Sequence, residues 1–561
     1  MMRKYLKYFL FLFLFFSLLF ISSIDKDNYK TGSYKSTLFV DPAGYNVYLP
    51  ATFQHGFINN FPDKMDSIVA YGFMLNNEKK VITKFTYGVA LLQSPFYLSG
   101  LVISKVFNIT NTGYSPINNL IIDISGIFYA CLGLFLLIHL LSHYFKLTNA
   151  IFSGLIVFIG TNTLYYATIQ PGMSHIYSFF LVSLSLLSIH KFTIRKQTKW
   201  FVVFCFAFAL LVLIRPINII YGVVFLSFGI NTIEDFKNRL GFILTFKNVV
   251  IGILITSLIF IPQLIYWKFA YGKFIADSYP GESFAFFTHP QIKEYLFSPH
   301  NGLLSYNPLY VLFFVLTLFL IKKKSWQYLA ILISAAIIIY LSASWYLFFF
   351  GCGFGARNFV EFSVFLAFPV ADFFNSQLNR SLRIGIGVLI FFCVSFNLKM
   401  MAAWDVCFWG TNDWDWREYR HLLYQKPKSL ALNLDSVNQK KVQLSGSEKV
   451  YKIDSLELYS PGINFVPNHL TSGYLKNVTI SVDVYGISET SNAQLACMGF
   501  YKDSTLSYTA IHIKANKNKW DNFMLKTSIP FHATKEYLIK VFIMNNLKEE
   551  YLIKNFRISL N

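Results

Sequence analysis

What most constrains this chain is a series of long apolar runs separated by short basic connections. A helix that crosses a bilayer needs about 20 mostly apolar residues. By that rule the chain holds about eleven spans, near 5–24, 117–142, 149–166, 175–192, 200–214, 215–231, 248–268, 304–321, 326–344, 358–375 and 384–404. The pair meeting at Arg215-Pro216 reads either as two spans or as one broken helix. Composition agrees: 54% of the 561 residues are hydrophobic and only 14% charged, where a soluble globular chain carries about a quarter charged residues. The 61 phenylalanines suit lipid-facing surfaces.

The net charge of +20 does not point to nucleic acid, because the basic residues sit in short clusters between the apolar runs. "MMRKYLK", "KFTIRKQTK" at 191–199, "FKNRL" with Lys247, "KKK" at 322–324 and "NRSLR" at 379–383 all fall on one side. The positive-inside rule makes that side cytoplasmic. The N-terminus is then cytoplasmic. The long loop 25–116, the loops near 167–175, 269–303 and 345–357, and everything after about 405 lie on the opposite, outer side. A cleaved signal peptide is the alternative for the first run and leaves the rest of the map unchanged. Of the six cysteines (131, 205, 352, 393, 407, 497), none forms a C-x-x-C pair or a zinc-like spacing. Four sit in or beside apolar runs and read as small hydrophobes. A Cys407–Cys497 disulfide suits an oxidising compartment, but no feature demands it.

The tail is a different material. "NVTISVDVY" (477–485) places Val478, Ile480, Val482 and Val484 on one face, and "EYLIKVFIM" (536–544) does so with Tyr537, Ile539, Val541 and Ile543. "YLIKNFRISL" closes the chain with Phe556, Ile558 and Leu560 in the same alternation. Period two marks half-buried strands. About eight such runs with polar turns predict an extracytoplasmic antiparallel β-sandwich over 440–561, jelly-roll-like in character. A tryptophan-rich stretch, 405–439, links it to the helical domain 1–404 and fits an interfacial belt, with a sugar-lining role as the alternative.

The first outer loop, with about 90 residues, is far longer than an ordinary connection, and loops of that size are generally functional or disordered. Its composition is not that of disorder. It holds "DPAGYNVYLPATF", where Asp41 stands just past the first span, and "YGVALLQSPFYLSGLVISKVF" (87–107), which reads as an interfacial or re-entrant helix. Asp-Pro-x-Gly is also a good turn, so Asp41 has a bland reading as a turn acid. Arg215 sits at the end of an apolar run. An arginine at a span centre costs about 2.5–3.5 kcal/mol, which calls for a partner or a polar cavity, with snorkelling to the interface as the rival.

These residues resemble the C-type (GT-C) integral membrane glycosyltransferases, among them the protein O-mannosyltransferases and the lipid A aminoarabinose transferases. The features that carry the resemblance are Asp41 after the first span, Lys84 opening "KFTYGVALLQSPF", Arg215 in "LIRPINII", and "SWYLFFFGCGFGARNFVEF" (344–362) with Arg357. The family's double proline after the lysine is missing here. Uncharacterised family-39-like proteins of Bacteroidetes share "D.AGYY.YLPA.F", "NGL..Y.P" and "FGAR.FVE". The resemblance covers about residues 1–404 and implies a helical GT-C-like membrane fold. It further implies a polyprenyl-phosphate-linked sugar as donor and a glycan, lipid or protein as acceptor. Asp41 is then the general base for an inverting transfer, and Lys84, Arg215 and Arg357 hold the donor phosphate, whose growing charge needs cations.

Other candidates stand beside their plain alternatives. His175, in "QPGMSHIYSF", is an acceptor or phosphate contact, or a satisfied interfacial histidine. Glu282 and Asn301 lie in outer loops with aromatic neighbours and suit sugar or lipid-head contacts. Glu361, four residues after Arg357, is a substrate contact or, if a helix begins there, a structural partner of that arginine. Asp63, Asp66 and Glu78 are unranked candidates for a second acid. No pattern specifies a cofactor, and scattered carboxylates leave a divalent metal open. A lipid-glycan transporter or flippase, or a polymerase or ligase using a diphosphate-linked donor, would suit the same membrane map. Transporters tend to show internal repeats, and none is evident between the halves.

Overall fold

The computed structural model describes residues 2–24, 36–58, 60–62, 64–279, 282–321, 326–351, 353–376 and 379–404. Further along it describes 416, 419–420, 423, 442–445, 450–453, 460, 463–465, 476–487, 493–501, 504–529, 537–545 and 550–560. Asp63, Cys352, Cys407, the lysines 322–324 and nearly all of the stretch 405–439 lie outside the described residues. The chain divides into two compact units, Met1–Met401 and Ala402–Asn561.

The first unit is helical. Six of its helices are long and apolar enough to cross a membrane: Gly88–Val106, Pro116–Leu141, Ser174–Arg195, Phe246–Tyr271, Trp326–Ser344 and Arg380–Ala403. Shorter apolar helical stretches are Leu10–Ser23, Leu147–Gly160, Thr198–Ile214, Pro216–Ser227, Leu309–Ile321 and Ser363–Asn375. Ser174–Arg195 is the most enclosed of the long helices. Its buried Ser178, Ser183, Ser185 and Ser188 are small enough to let neighbouring helices approach closely. The segment read as interfacial, 87–107, forms one 19-residue helix whose length and composition suffice to cross a membrane.

Several expected spans are broken, and the breaks share a chemistry. The run 200–231 is not continuous: the helix Thr198–Ile214 stops at Arg215, which is extended, and Pro216–Ile220 follows as a tight 3-10 turn. Pro216 accounts for this, because the residue before a proline is pushed out of the helical region. The run 149–166 breaks after Gly160, and 358–375 begins with a 3-10 turn at Arg357–Phe359 before the helix at Ser363. Non-helical backbone at such depth must find partners inside the protein. Asparagine side chains supply them. Asn162 Nδ2 donates to the carbonyls of Phe354 and Ala356, and Asn397 Nδ2 to those of Ile159 and Thr161.

In the second unit all strand pairs between named strands are antiparallel. A short hairpin in the first unit supplies β1 (Met74–Leu75) and β2 (Val81–Ile82). The second unit then runs β3 (Val442–Ser445), β4 (Tyr451–Ile453), β5 (Ile463–Phe465), β6 (Lys476–Gly486), β7 (Ala493–Tyr501), β8 (Ser504–Ile513), β9 (Trp520–Ile529), β10 (Tyr537–Met544) and β11 (Tyr551–Leu560). One sheet has the order β5-β10-β7-β8; the other has β3-β11-β6-β9, with β4 also pairing β11. Ile480, Val482 and Val484 of the "NVTISVDVY" alternation meet Leu495, Cys497, Ile539, Val541 and Ile543 from the other sheet in one core. Cys497 is free and buried there.

Candidate functional site

The motif "DPAGYN" forms a short helix, Asp41–Asn46, rather than a turn. Pro42 sits in its first turn, where the missing N–H costs nothing. The residue before it is strained: Val40 has φ +52° and ψ −120°, a rare conformation for a β-branched side chain. The segment is pressed against the loop at 69–73. Val40 N–H donates to Val69 O. A Cβ on Gly44 would lie 2.1 Å from Gly72 O, and one on Gly72 would lie 2.0 Å from Val40 O. Thr83 Oγ1–H also donates to Gly44 O, so the start of the long loop is tied to the strand that precedes Lys84.

Asp41 points at Arg357. Its Oδ2 is 3.2 Å from Arg357 Nη1, and about a fifth of each side chain is exposed (20% and 21%). Arg357 opens the 3-10 turn after "GFGA", and its guanidinium also lies 5.9 Å from the Phe350 ring centroid. Burial alone would lower the Arg357 pKa, but the Asp41 carboxylate and the Tyr166 and Tyr45 hydroxyls more than offset it and raise it. Tyr45, from the same short helix as Asp41, donates its hydroxyl to Ser174 Oγ at 3.2 Å. Burial, then Asp41, pushes its phenol up to about 12, so it is a protonated donor at neutral pH.

Arg215 lies beside this pair and joins a second, more enclosed group. Its Nη1 is 3.5 Å from Glu361 Oε1, and Nη2 donates to Asn358 Oδ1 at 2.5 Å. His175 bridges them: its Nδ1 is 3.0 Å from Glu361 Oε2, and its Nε2 is 2.8 Å from Arg215 Nη1. Arg215 Nη1 also lies 2.5 Å from His175 Nδ1, so the guanidinium reaches both ring nitrogens while the carboxylate meets Nδ1. His175 and Glu361 are fully enclosed, whereas 17% of the Arg215 side chain is exposed. Asn358 is held in turn by Ser342 Oγ. The alternative in which Glu361 partners Arg357 is not what the structure holds. The 3-10 turn at 357–359 and the irregular residues before Ser363 remove the helical face that an i, i+4 pair requires. Glu361 serves Arg215 and His175, and Arg357 serves Asp41.

Lys84 bonds Glu282 at 2.5 Å, with 32% and 24% of the side chains exposed. Its ammonium also lies about 5 Å from the centroids of Phe85 and Tyr279 (5.4 and 5.2 Å), a cation–π arrangement. Ser278 Oγ–H donates to Lys84 O, which ties this lysine to the segment that follows the helix Phe246–Tyr271. Tyr279 links the two ion pairs, for its charged neighbours are Asp41, Arg215 and Glu282, along with Tyr45. Tyr346 is similarly placed among Glu282, Asp41 and Arg357. Asp41, Lys84, Arg215, Arg357, His175, Glu282 and Glu361 thus come together from distant parts of the first unit.

Three other sequence candidates do not join them as free groups. Asn301 is buried, with φ +57°; its Nδ2 donates to Phe349 O and Gly351 O and its Oδ1 accepts from Gly355 N–H, so it braces the segment leading to Arg357. Asp66 accepts from the N–H groups of Ser67 and Leu75 within its own loop. Glu78 pairs with Lys80 at the surface. Sequence reasoning missed Asn358, Tyr45 and Tyr279. The first two sit inside quoted motifs, "GARNFVEF" and "DPAGYNVY", and an adjacent polar residue in each was the available signal. Among the described residues no group of three or more His, Cys, Asp or Glu could hold a metal ion.

No protein-family model matches the chain, and no curated protein matches it. Among solved structures, the chain is similar to ArnT from Cupriavidus metallidurans in the apo state, at 11% identity and a TM-score of 0.46. The match covers 75% of this chain and 69% of that one.

Proposed function

We propose that the chain is a membrane glycosyltransferase that moves a sugar from a polyprenyl-phosphate donor to an extracytoplasmic acceptor, a glycan, lipid or protein, with inversion. The observation that carries this reading is the meeting of one half-open carboxylate, Asp41, with three cations, Arg357, Arg215 and Lys84, in a helical unit with several membrane-length helices. In this reading an acceptor hydroxyl attacks the anomeric carbon as Asp41 takes its proton. The bond from that carbon to the phosphate oxygen breaks, and its electron pair leaves with the phosphate. Arg357 and Arg215 offer forked donors that suit phosphate oxygens, and Lys84 adds a compact point charge. A phosphate is already a weak base, so no strong general acid is needed at the leaving group. His175, Glu361 and Asn358 orient Arg215, and Glu282 holds Lys84 until a phosphate competes for it. The site faces the periplasmic side of the inner membrane, which follows from the basic connections on the other side.

The test is transfer by the purified chain in lipid nanodiscs, with labelled polyprenyl-phosphate sugars and candidate acceptors. Asp41→Asn should abolish most of the transfer while donor binding persists. Full-rate transfer by that variant would sink the assignment of the base. Substrate counterflow without a glycosidic product would favour a transporter instead.

A further inference from the structure

The β-sandwich carries a group of side chains that the membrane chemistry does not use. They lie on the face of the five-stranded sheet that points away from the sandwich core. The alternation that buries Ile480, Val482 and Val484 turns Ser481, Asp483 and Tyr485 outward, because successive strand residues face opposite sides. Register sets their neighbours: Tyr485 lies opposite Trp520 and Asp483 opposite Asn522 across β6 and β9, and Lys554 of β11 lies opposite Asp483 on the other side.

Two parts make up this patch. The first is aromatic: the rings of Tyr485 and Trp520 are 5.4 Å apart and inclined at 53°. The second is a carboxylate gripped by two amides. Asn522 Nδ2 donates to Asp483 Oδ1 and Asn555 Nδ2 donates to Asp483 Oδ2, both at 2.7 Å. Asn555 reaches it only through an irregularity. The β6–β11 register shifts between Lys554 and Arg557, and Asn555 has φ +53°. A bulge of this kind re-aims a side chain. Here Asn555 comes to Asp483 while Phe556 stays in the core.

We propose that this face is a binding site for a neutral saccharide. A sugar ring presents apolar C–H groups on its faces and hydroxyls around its edge. Tyr485 and Trp520 offer the surface for the first. Asp483 keeps spare acceptor capacity, and each asparagine keeps a carbonyl and a second N–H for the second. The carboxylate at the centre repels a phosphodiester, which excludes nucleic acid as the occupant. Lys554, whose ammonium lies 4.0 Å from the Trp520 ring centroid, forms no ion pair among the described residues and can leave the ring for a sugar hydroxyl. This site belongs to the second unit and the Asp41 cluster to the first, and it does not depend on the transfer reaction.

The test is calorimetric titration of the full chain in nanodiscs with mannohexaose, cellohexaose and chitohexaose. At least one of them binds, and Trp520→Ala and Asp483→Ala each weaken it about tenfold or more, the loss expected when about 1.4 kcal/mol of contact is removed. Asp483→Asn keeps the side-chain shape, and so guards against a misfolded sheet; it also weakens binding. Lys526→Ala, on β9 outside the patch, and Asp41→Asn leave binding intact. Absence of binding by all three oligosaccharides overturns the proposal. So does binding that survives unchanged in the Trp520 and Asp483 variants, or that disappears with Asp41→Asn alone.

Discussion

Glu361→Gln removes the carboxylate that faces Arg215 and His175 while keeping its shape. At the observed 3.5 Å and an effective dielectric of about 20, the lost Coulomb attraction is about 5 kcal/mol. Two effects offset part of this. The amide oxygen still accepts a hydrogen bond worth about 1 kcal/mol, and the partial exposure of Arg215 lets water screen its charge. Once the relief of the buried carboxylate's desolvation, the largest influence on that group, is also counted, a net destabilisation of about 1 kcal/mol remains. Reversible unfolding in mixed micelles with increasing SDS gives the difference. Because that figure alone could come from packing, the deciding measurement is a double-mutant cycle with Arg215→Met. If the two groups act as a pair, the double variant is at least about 1.5 kcal/mol more stable than the sum of the singles implies. Additivity to within about 0.5 kcal/mol, as for unconnected sites, would refute the pairing and with it the role of Glu361 in holding Arg215.

Further outcomes follow from the same geometry. On the proposed reading, Asp41→Asn lowers sugar transfer by about a hundred- to ten-thousand-fold, the usual range for a lost general base, and donor affinity in a binding assay is held or improved because Arg357 loses its internal carboxylate. Asn301→Ala strips two donors and an acceptor from the backbone at 349–355 and destabilises the protein by about 1–3 kcal/mol, with faster amide exchange in that segment than elsewhere. His300 stacks on Phe349 at 3.8 Å, and burial pushes its pKa down to about 4. The folded state therefore prefers the neutral ring. Its contribution is complete above the ordinary histidine pKa, about 6.5, and is lost as pH falls toward 4. His300→Gln should flatten the unfolding midpoint across that window; an unchanged slope would show that His300 is not the group responsible.

Much of the architecture was legible because it depends on local pattern. Twenty-residue apolar runs have few options other than helices, and "NVTISVDVY" has few other than a half-buried strand. The breaks at Arg215-Pro216 could be read from proline chemistry. The candidate site was legible residue by residue but not pair by pair. Lys84 finds Glu282 across 198 positions and Arg357 finds Asp41 across 316, and no periodicity reports on such distances. The alternative partnership of Glu361 with Arg357 depended on a helix beginning there, and the chain makes a 3-10 turn instead. Asn301 shows the opposite difficulty. A polar residue in an outer loop looks available for a ligand, yet its left-handed backbone and three committed hydrogen bonds make it part of the frame.

The contact between Gly44 and Gly72 also restricts how this protein can change over generations. In each case the atom that a side chain would strike is a main-chain oxygen, at 2.1 and 2.0 Å. Most steric conflicts in a core can be relieved by shrinking a neighbour, which opens an indirect mutational route. Shrinking Phe85, whose ring a side chain at Gly44 would also strike at 2.5 Å, does not clear the way, since a peptide oxygen is common to every amino acid. Neither position offers a stepping stone to the other. Descendants of this sequence that retain the placement of Asp41 are thus expected to keep glycine at both positions, however far their surrounding residues drift.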